Sequence, residues 1–130
     1  MLVLVDTSVW IEYFQRKDAL IEKEMDGLLR SEGVATAGLV LAELRQGCRA
    51  PNQVRLMLDA MEPLLYLESD RTSWLKAGEI AAEASARGYK LEVGDCLLAA
   101  VALRERCSLF TLDRDFSHIP GLKLYRFRSN

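Results

Sequence analysis

Residues 1–10 read MLVLVDTSVW: four consecutive apolar residues, Leu2 to Val5, run directly into Asp6 and then the hydroxyls of Thr7 and Ser8. A run so short and so apolar predicts a strand buried on both faces, the habit of parallel sheets covered by helices. Asp6 therefore stands where a buried strand emerges. It serves either to cap the following helix, a duty that Thr7 also suits, or to do chemistry. That helix is expected over SVWIEYFQ, with Val9, Trp10 and Tyr13 or Phe14 at helical spacing.

Further along, Ile21, Met25, Leu28 and Leu29 define a second helical face, with Gly33 as its stop. VAT (34–36) predicts a short strand, with Thr36 placed to cap the next helix. That helix, GLVLAELRQGC (38–48), carries Glu43 among apolar neighbours. Pro51 opens another, whose Val54, Met57, Leu58 and Met61 form an i, i+3, i+4, i+7 stripe ended by Pro63. LLYLE (64–68) has strand character. From Arg71 a longer helix places Trp74, Leu75, Gly78, Ala81 and Ala82 on one face and ends near Gly88, its small residues predicting a close helix contact.

GDCLLAAVALRER (94–106) predicts a helix buried around most of its girth with Asp95 in its first turn. SLFTL (108–112) predicts a strand leading into Asp113, and GLKLYRF (121–127) a final strand. Strands separated by helices too long for hairpins imply parallel crossovers, hence an α/β protein, three-layer α/β/α with a mainly parallel central sheet. No repeat, low-complexity tract or linker interrupts the 130 residues, so one domain spanning 1–130 is expected.

The formal charge of −2 provides no overall basic field and argues against a simple DNA-binding module. A nucleic-acid partner would have to be held by local Arg and Lys or by bound cations. Cys48, Cys96 and Cys107 are odd in number, form no CxxC pair and lie in apolar stretches, which suits core packing in a reducing compartment. The N-terminal apolar run is too short for a signal peptide, and CLLAAVAL (96–103) falls far below a membrane span. A soluble cytoplasmic protein with no membrane partner is expected.

Two apolar strands lead into aspartate, Asp6 and Asp113, and two more acids, Glu43 and Asp95, interrupt apolar helices where an unpaired charge is costly. Open parallel sheets gather functional groups beyond the carboxyl ends of their strands. Four acids gathered there repel, and their pKa values rise unless a cation neutralises them. Carboxylates without a His or Cys cluster suit Mg²⁺ or Mn²⁺ rather than Zn²⁺, and His118, the lone histidine, reads as a loop or surface residue. Such an ion reverses the local field and recruits phosphate. Each acid taken singly also has a structural reading: Asp6 and Asp113 as helix caps, Asp95 as a partner of a helix dipole.

VDTSVWIEYF, LAELRQG, LEVGDCLLAAVAL and LFTLDRDF, in this order and spacing across essentially the whole chain, resemble the PIN-domain ribonucleases. Within that family the chain is most similar to the VapC-like toxins of bacterial and archaeal toxin–antitoxin pairs. The resemblance implies metal-binding catalytic acids at Asp6, Glu43, Asp95 and Asp113, a supporting hydroxyl at Thr7 or Ser8, and the threonine of a TxD motif at Thr111. Asp115 is a further acid that either binds metal through water or caps a short helix. No departure from the family pattern occurs at the four main positions.

The implied activity is Mg²⁺- or Mn²⁺-dependent endoribonucleolytic hydrolysis of single-stranded or loop RNA, leaving 5′-phosphate and 3′-hydroxyl ends. One ion lowers the pKa of a bound water, and a second, recruited with substrate, stabilises the leaving 3′ oxygen. The resemblance further implies a cognate antitoxin whose C-terminal segment lies across the toxin's groove, a homodimer, and a toxin–antitoxin hetero-oligomer. The RNA backbone would be steered by Arg45, Arg49 and Arg114, with Lys123, Arg126 and Arg128 further candidates. Trp10, Tyr13 and Phe14 would pack in the core or a dimer, or stack on bases.

Three other readings compete. A haloacid-dehalogenase-like phosphotransferase also begins with a strand ending in aspartate, but requires a second aspartate two residues on, where this chain has Ser8. A receiver domain requires an acidic pair and a late lysine that have no place here. A catalytically silent RNA- or protein-binding module of the same fold would keep the sheet without the chemistry.

Overall fold

The structure, a computed structural model, describes residues 1–127. Four short strands, β1 (Val3–Val5), β2 (Val34–Ala37), β3 (Leu65–Leu67) and β4 (Ser108–Phe110), form a sheet in the order β3-β2-β1-β4. Each neighbouring pair is parallel. Helices α1 (Thr7–Gln15), α2 (Ala19–Arg30), α3 (Gly38–Gly47), α4 (Pro51–Met61), α5 (Arg71–Ala86) and α6 (Val93–Glu105) flank it. A 3-10 turn, Arg114–His118, follows β4. This is the expected three-layer α/β/α arrangement. Val3, Leu4 and Val5 are fully buried because β1 is an inner strand covered on both faces. The chain passes from β1 to β2 and β3 on one side and comes back to β4 on the other, so the strand order reverses beside β1. Open parallel sheets place their sites at such a switch.

Several local expectations are corrected. α2 ends at Arg30, not at Gly33, and the left-handed residue behind it is Glu32 (φ 57°). Gly33 is required for a different reason: a Cβ there would lie 2.7 Å from the Met1 carbonyl oxygen. Thr36 does not cap α3. It is buried in β2, its hydroxyl donates to Met61 Sδ at 3.6 Å, and Ala37 holds the cap position. In α4, Met57 and Met61 are buried while Leu58 turns outward, so the stripe is narrower than expected. GLKLYRF does not form a strand; it contributes a single parallel bridge, Leu109 with Leu124. Two backbone bonds at 2.8 Å hold it, from Leu109 N–H to Lys123 O and from Tyr125 N–H to Leu109 O.

The largest correction concerns α5. Its buried face is Ser73, Ala77, Ile80 and Ala84, whereas Trp74 and Leu75 are 55% and 70% exposed. A close helix contact does form, but α6, apolar on every side, meets the smallest residues of α5 rather than the largest. Arg104 fixes the register from the far end of α6, donating to Ser73 Oγ at 2.7 Å and to the Glu68 carbonyl at 2.6 Å. Ala77→Leu is therefore expected to overpack the contact and destabilise the protein by about 1–3 kcal/mol, while Leu75→Ala stays within about 0.5 kcal/mol. Urea unfolding of the two variants checks this, and the reverse ranking would restore the original face.

Candidate functional site

Asp6 is buried at the end of β1 and occupies the N-cap position of α1, yet its carboxylate makes no capping bond. Its Oδ2 instead accepts hydrogen bonds from Ser8 Oγ at 2.9 Å and Thr111 Oγ1 at 2.7 Å. Each hydroxyl is itself held by the backbone after β4. Leu112 N–H donates to Ser8 Oγ at 3.1 Å, and Asp113 N–H donates to Thr111 Oγ1 at 3.0 Å. Thr7 turns elsewhere and donates to Glu43 Oε1 at 2.7 Å. Both hydroxyls after Asp6 are thus engaged, each on a different acid.

The remaining acids stand more open than expected. Glu43 is exposed, because it projects from the cleft side of α3 and is not enclosed by its apolar neighbours. Asp95, in the first turn of α6, is half-buried. Asp113 does not end a strand: β4 stops at Phe110, and Asp113 is exposed and caps the 3-10 turn by accepting from Asp115 N–H at 2.9 Å. For this residue the capping reading is correct, without excluding a second duty.

Burial pushes the Asp95 carboxyl up from 3.8 to about 6, and the charges of Asp6, Asp113, Glu43 and Glu92 push it in the same direction. Acids at the end of β1, on α3 and in the post-β4 loop therefore bear on Asp95 through space. Glu92 is the acid that sequence reasoning missed. It caps α6 by position, three residues before Asp95, and that i, i+3 spacing was visible in the chain. Asp115 is not among the charges that bear on Asp95, and it is exposed.

Among the described residues, no three His, Cys, Asp or Glu side chains are gathered as a preformed metal cage. Mutual repulsion keeps uncompensated carboxylates apart. The donor set is nonetheless all oxygen and net anionic, the chemistry that suits a hard divalent cation. Other ligand types lie elsewhere: the His118 ring stacks on Tyr89 with centroids 3.7 Å apart and is half-buried rather than a free surface residue. Cys96 and Cys107 are buried, and Cys48 donates its thiol proton to the Leu44 carbonyl.

The basic candidates fall on different elements. Arg45 and Arg49 line a separate cavity of about 450 Å³ at the α3–α4 turn. Arg114, Lys123 and Arg126 are exposed, and Arg128 lies outside the described residues. Trp10 is fully buried, which excludes base stacking, whereas Tyr13 and Phe14 line a groove of about 770 Å³ with Ile11, Leu56 and Met57. Glu43 and Arg16 lie on the same groove.

With this geometry in place, the chain can be compared with known proteins. The family model of the PIN domain matches residues 3–122. Ribonuclease VapC11 of Mycobacterium tuberculosis is 27% identical over 98% of this chain and 100% of its own, and Ribonuclease VapC2 of Rickettsia felis is 24% identical over 95% and 96%. In fold, the chain resembles VapBC2 from Rickettsia felis bound to a DNA fragment from its promoter, with a TM-score of 0.82 at 22% identity, covering 98% and 100% of the two chains. It also resembles Mycobacterium tuberculosis VapC20, a sarcin–ricin loop cleaving toxin, with a TM-score of 0.71 at 22% identity over 95% and 98%. Strand order, Asp6 at the point where it reverses and the sequence match over nearly the whole chain agree: the chain belongs to the PIN domain family.

Proposed function

We infer that the chain is a divalent-metal-dependent endoribonuclease and the toxin of a toxin–antitoxin pair. The observation that carries this reading is the placement of Asp6 at the end of β1, beside the switch in strand order, with Ser8 and Thr111 donating to its carboxylate and Glu43 held by the adjoining Thr7. Burial raises the Asp95 carboxyl and the charges of Asp6, Asp113 and Glu43 add to the rise, a condition that a bound cation relieves. The names of the curated relatives, ribonucleases over nearly the full length of the chain, support the same activity.

Asp6, Glu43, Asp95 and Asp113 would hold Mg²⁺ or Mn²⁺. The bound ion supplies an activated water and counters the charge of the scissile phosphate. Ser8 and Thr111 both donate to Oδ2 of Asp6, which restrains the carboxylate and leaves Oδ1 without a protein donor among the described residues. Thr7 does the same for Glu43 through Oε1. Asp113 is placed by the backbone bond between its own N–H and Thr111, so one hydroxyl orients two acids. Asp115 has an outer role in this reading.

The partners follow from the same reading. RNA is the substrate, and a cognate antitoxin occupies the groove between α1, α3 and α4, whose apolar walls end at Glu43. A basic side chain delivered to that end would meet the acids and block them. The fold neighbours include several VapBC assemblies, which supports a protein partner. A second copy of the chain completes a homodimer within a toxin–antitoxin hetero-oligomer. No helix among the described residues is long and apolar enough to cross a membrane, and the cytoplasm is the compartment proposed. The phosphotransferase alternative lacks its second aspartate at Ser8, which is committed to Asp6 instead.

Two experiments test the site. Cleavage of a loop-containing RNA with Mg²⁺ or Mn²⁺ is expected to fall roughly 100-fold or more in Asp6→Asn and Asp95→Asn. Ser8→Ala and Thr111→Val should lose about 10–100-fold as positioning residues. Circular dichroism should report a retained fold; full activity in Asp6→Asn would defeat the assignment. The second experiment follows stability in EDTA. The folded chain holds the Asp95 proton up to about pH 6, while the unfolded chain releases it near 3.8. The folded state thus binds more protons between these values, and stability should fall as pH rises from about 4 to about 6. Asp95→Asn should flatten that slope, and Mg²⁺ should raise the melting temperature above pH 6 in the wild type but less in the variant.

A further inference from the structure

The stretch Leu44–Leu58 carries Arg45, Arg49 and Arg55 and no acidic residue, in a chain whose formal charge is −2. It spans the end of α3, the turn and most of α4. Arg45 lies two positions after Glu43, about 200° around the helix, so it faces away from Glu43. There it meets Arg49 across the open cavity of about 450 Å³, whose floor is Ala50, Pro51 and Val54. Neither guanidinium forms a hydrogen bond or ion pair with a protein group among the described residues, unlike Arg16 and Arg104, which are both paired with carboxylates. The turn beneath them is fixed: the backbone N–H groups of Arg49 and Ala50 both donate to Gln53 Oε1, at 2.7 and 3.1 Å.

Resting on the nuclease reading, we propose that the α3–α4 turn is a phosphodiester-binding subsite for single-stranded RNA, remote from the acids. Arg45 and Arg49 each take a backbone phosphate of the strand, and the apolar floor of Ala50, Pro51 and Val54 takes the sugar or base between them. Guanidinium forks match phosphate oxygens in pairs, and a short apolar floor between two of them suits a nucleotide unit better than a simple anion. The subsite supplies the attraction that the acids deny to RNA. It also sets a minimum substrate length, since the strand must extend past α3 to reach it.

The test is made in EDTA, without chemistry, by measuring the affinity of a short 2′-O-methylated single-stranded RNA over a salt series. Arg45→Ala/Arg49→Ala should reduce the slope of log affinity against log salt by about 1.4 and weaken binding about 25-fold near 0.1 M salt, as expected for two lost phosphate contacts. Arg45→Lys/Arg49→Lys should keep the slope and lose only part of the affinity, which a merely structural role for the arginines would not produce. Lys76→Ala, on α5, should bind as the wild type does. Cleavage by the wild type with Mg²⁺ is followed separately, so that failure of the nuclease reading, seen as no cleavage, is separable from failure of the subsite, seen in the salt slope. An unchanged slope in the alanine pair, or no wild-type binding at low salt, overturns the proposal. So does equal binding of an acidic peptide that is lost in the same variant, which would make the turn a protein-docking surface.

Discussion

The Oδ2 atom of Asp6 accepts two hydrogen bonds, one from Ser8 in the first turn of α1 and one from Thr111 just past β4. Through this one oxygen the inner strand, the helix that follows it and the loop behind the edge strand are locked together. The backbone repeats the connection, with Asp6 N–H donating to the Phe110 carbonyl at 2.8 Å. A buried carboxylate without such donors would be costly. With them it becomes a rigid point against which Asp113, tied to the same threonine, is positioned. Glu43 is held from the residue next to Asp6, so a short stretch at the end of β1 orients acids on both sides of the switch in strand order. The site depends on the parallel sheet for its place and on three hydroxyls for its geometry.

Much of this was legible from the chain because a buried strand followed by an acid leaves few physical alternatives. The run Leu2–Val5 has to be covered on both faces, and Asp6 has to emerge at an end. The four acids were visible as charges in apolar surroundings, but the surroundings misled for Glu43. Sequence neighbours on a helix point in different directions, so an acid flanked by leucines can still face water. The choice between Thr7 and Ser8 was not legible at all, since it depends on where α3 and the post-β4 loop sit relative to α1. Both of those are set by contacts about 36 and more than 100 residues away in sequence.

The face of α5 was misread for a related reason. Hydrophobic periodicity weighs residues by size, which favours Trp74 and Leu75, whereas a helix that must approach another apolar helix closely is selected for small side chains. Ala77 and Ala84 are fully buried where α5 meets α6. The larger residues are left on the outside, and Gly78 stands beside open space. The same principle accounts for the terminal segment: GLKLYRF has strand composition, yet it lies at the edge beside β4, where a single bridge suffices to seat Leu124 and Tyr125. The Tyr125 ring packs on Phe110, and its hydroxyl donates to Glu24 on α2.

The division of charge between the two faces of α3 bears on how an acidic cleft serves a polyanion. Glu43 and Arg45 lie on one helix, but their separation of about 200° directs the acid to the cleft and the base to the α3–α4 turn. Had both faced the cleft, Arg45 would pair with Glu43, neutralising the acid and consuming the base. Keeping them apart leaves the acids without an internal counter-ion, so their charges add to the burial that raises Asp95 to about 6. A cleft in that condition gains free energy from whatever cation enters it, a metal ion or a basic side chain of a partner. Those two occupants exclude each other, because they satisfy the same unbalanced carboxylates. On the proposed reading, inhibition by a protein that inserts a cation would require no conformational change in the chain, only competition for charge at Asp6, Glu43, Asp95 and Asp113.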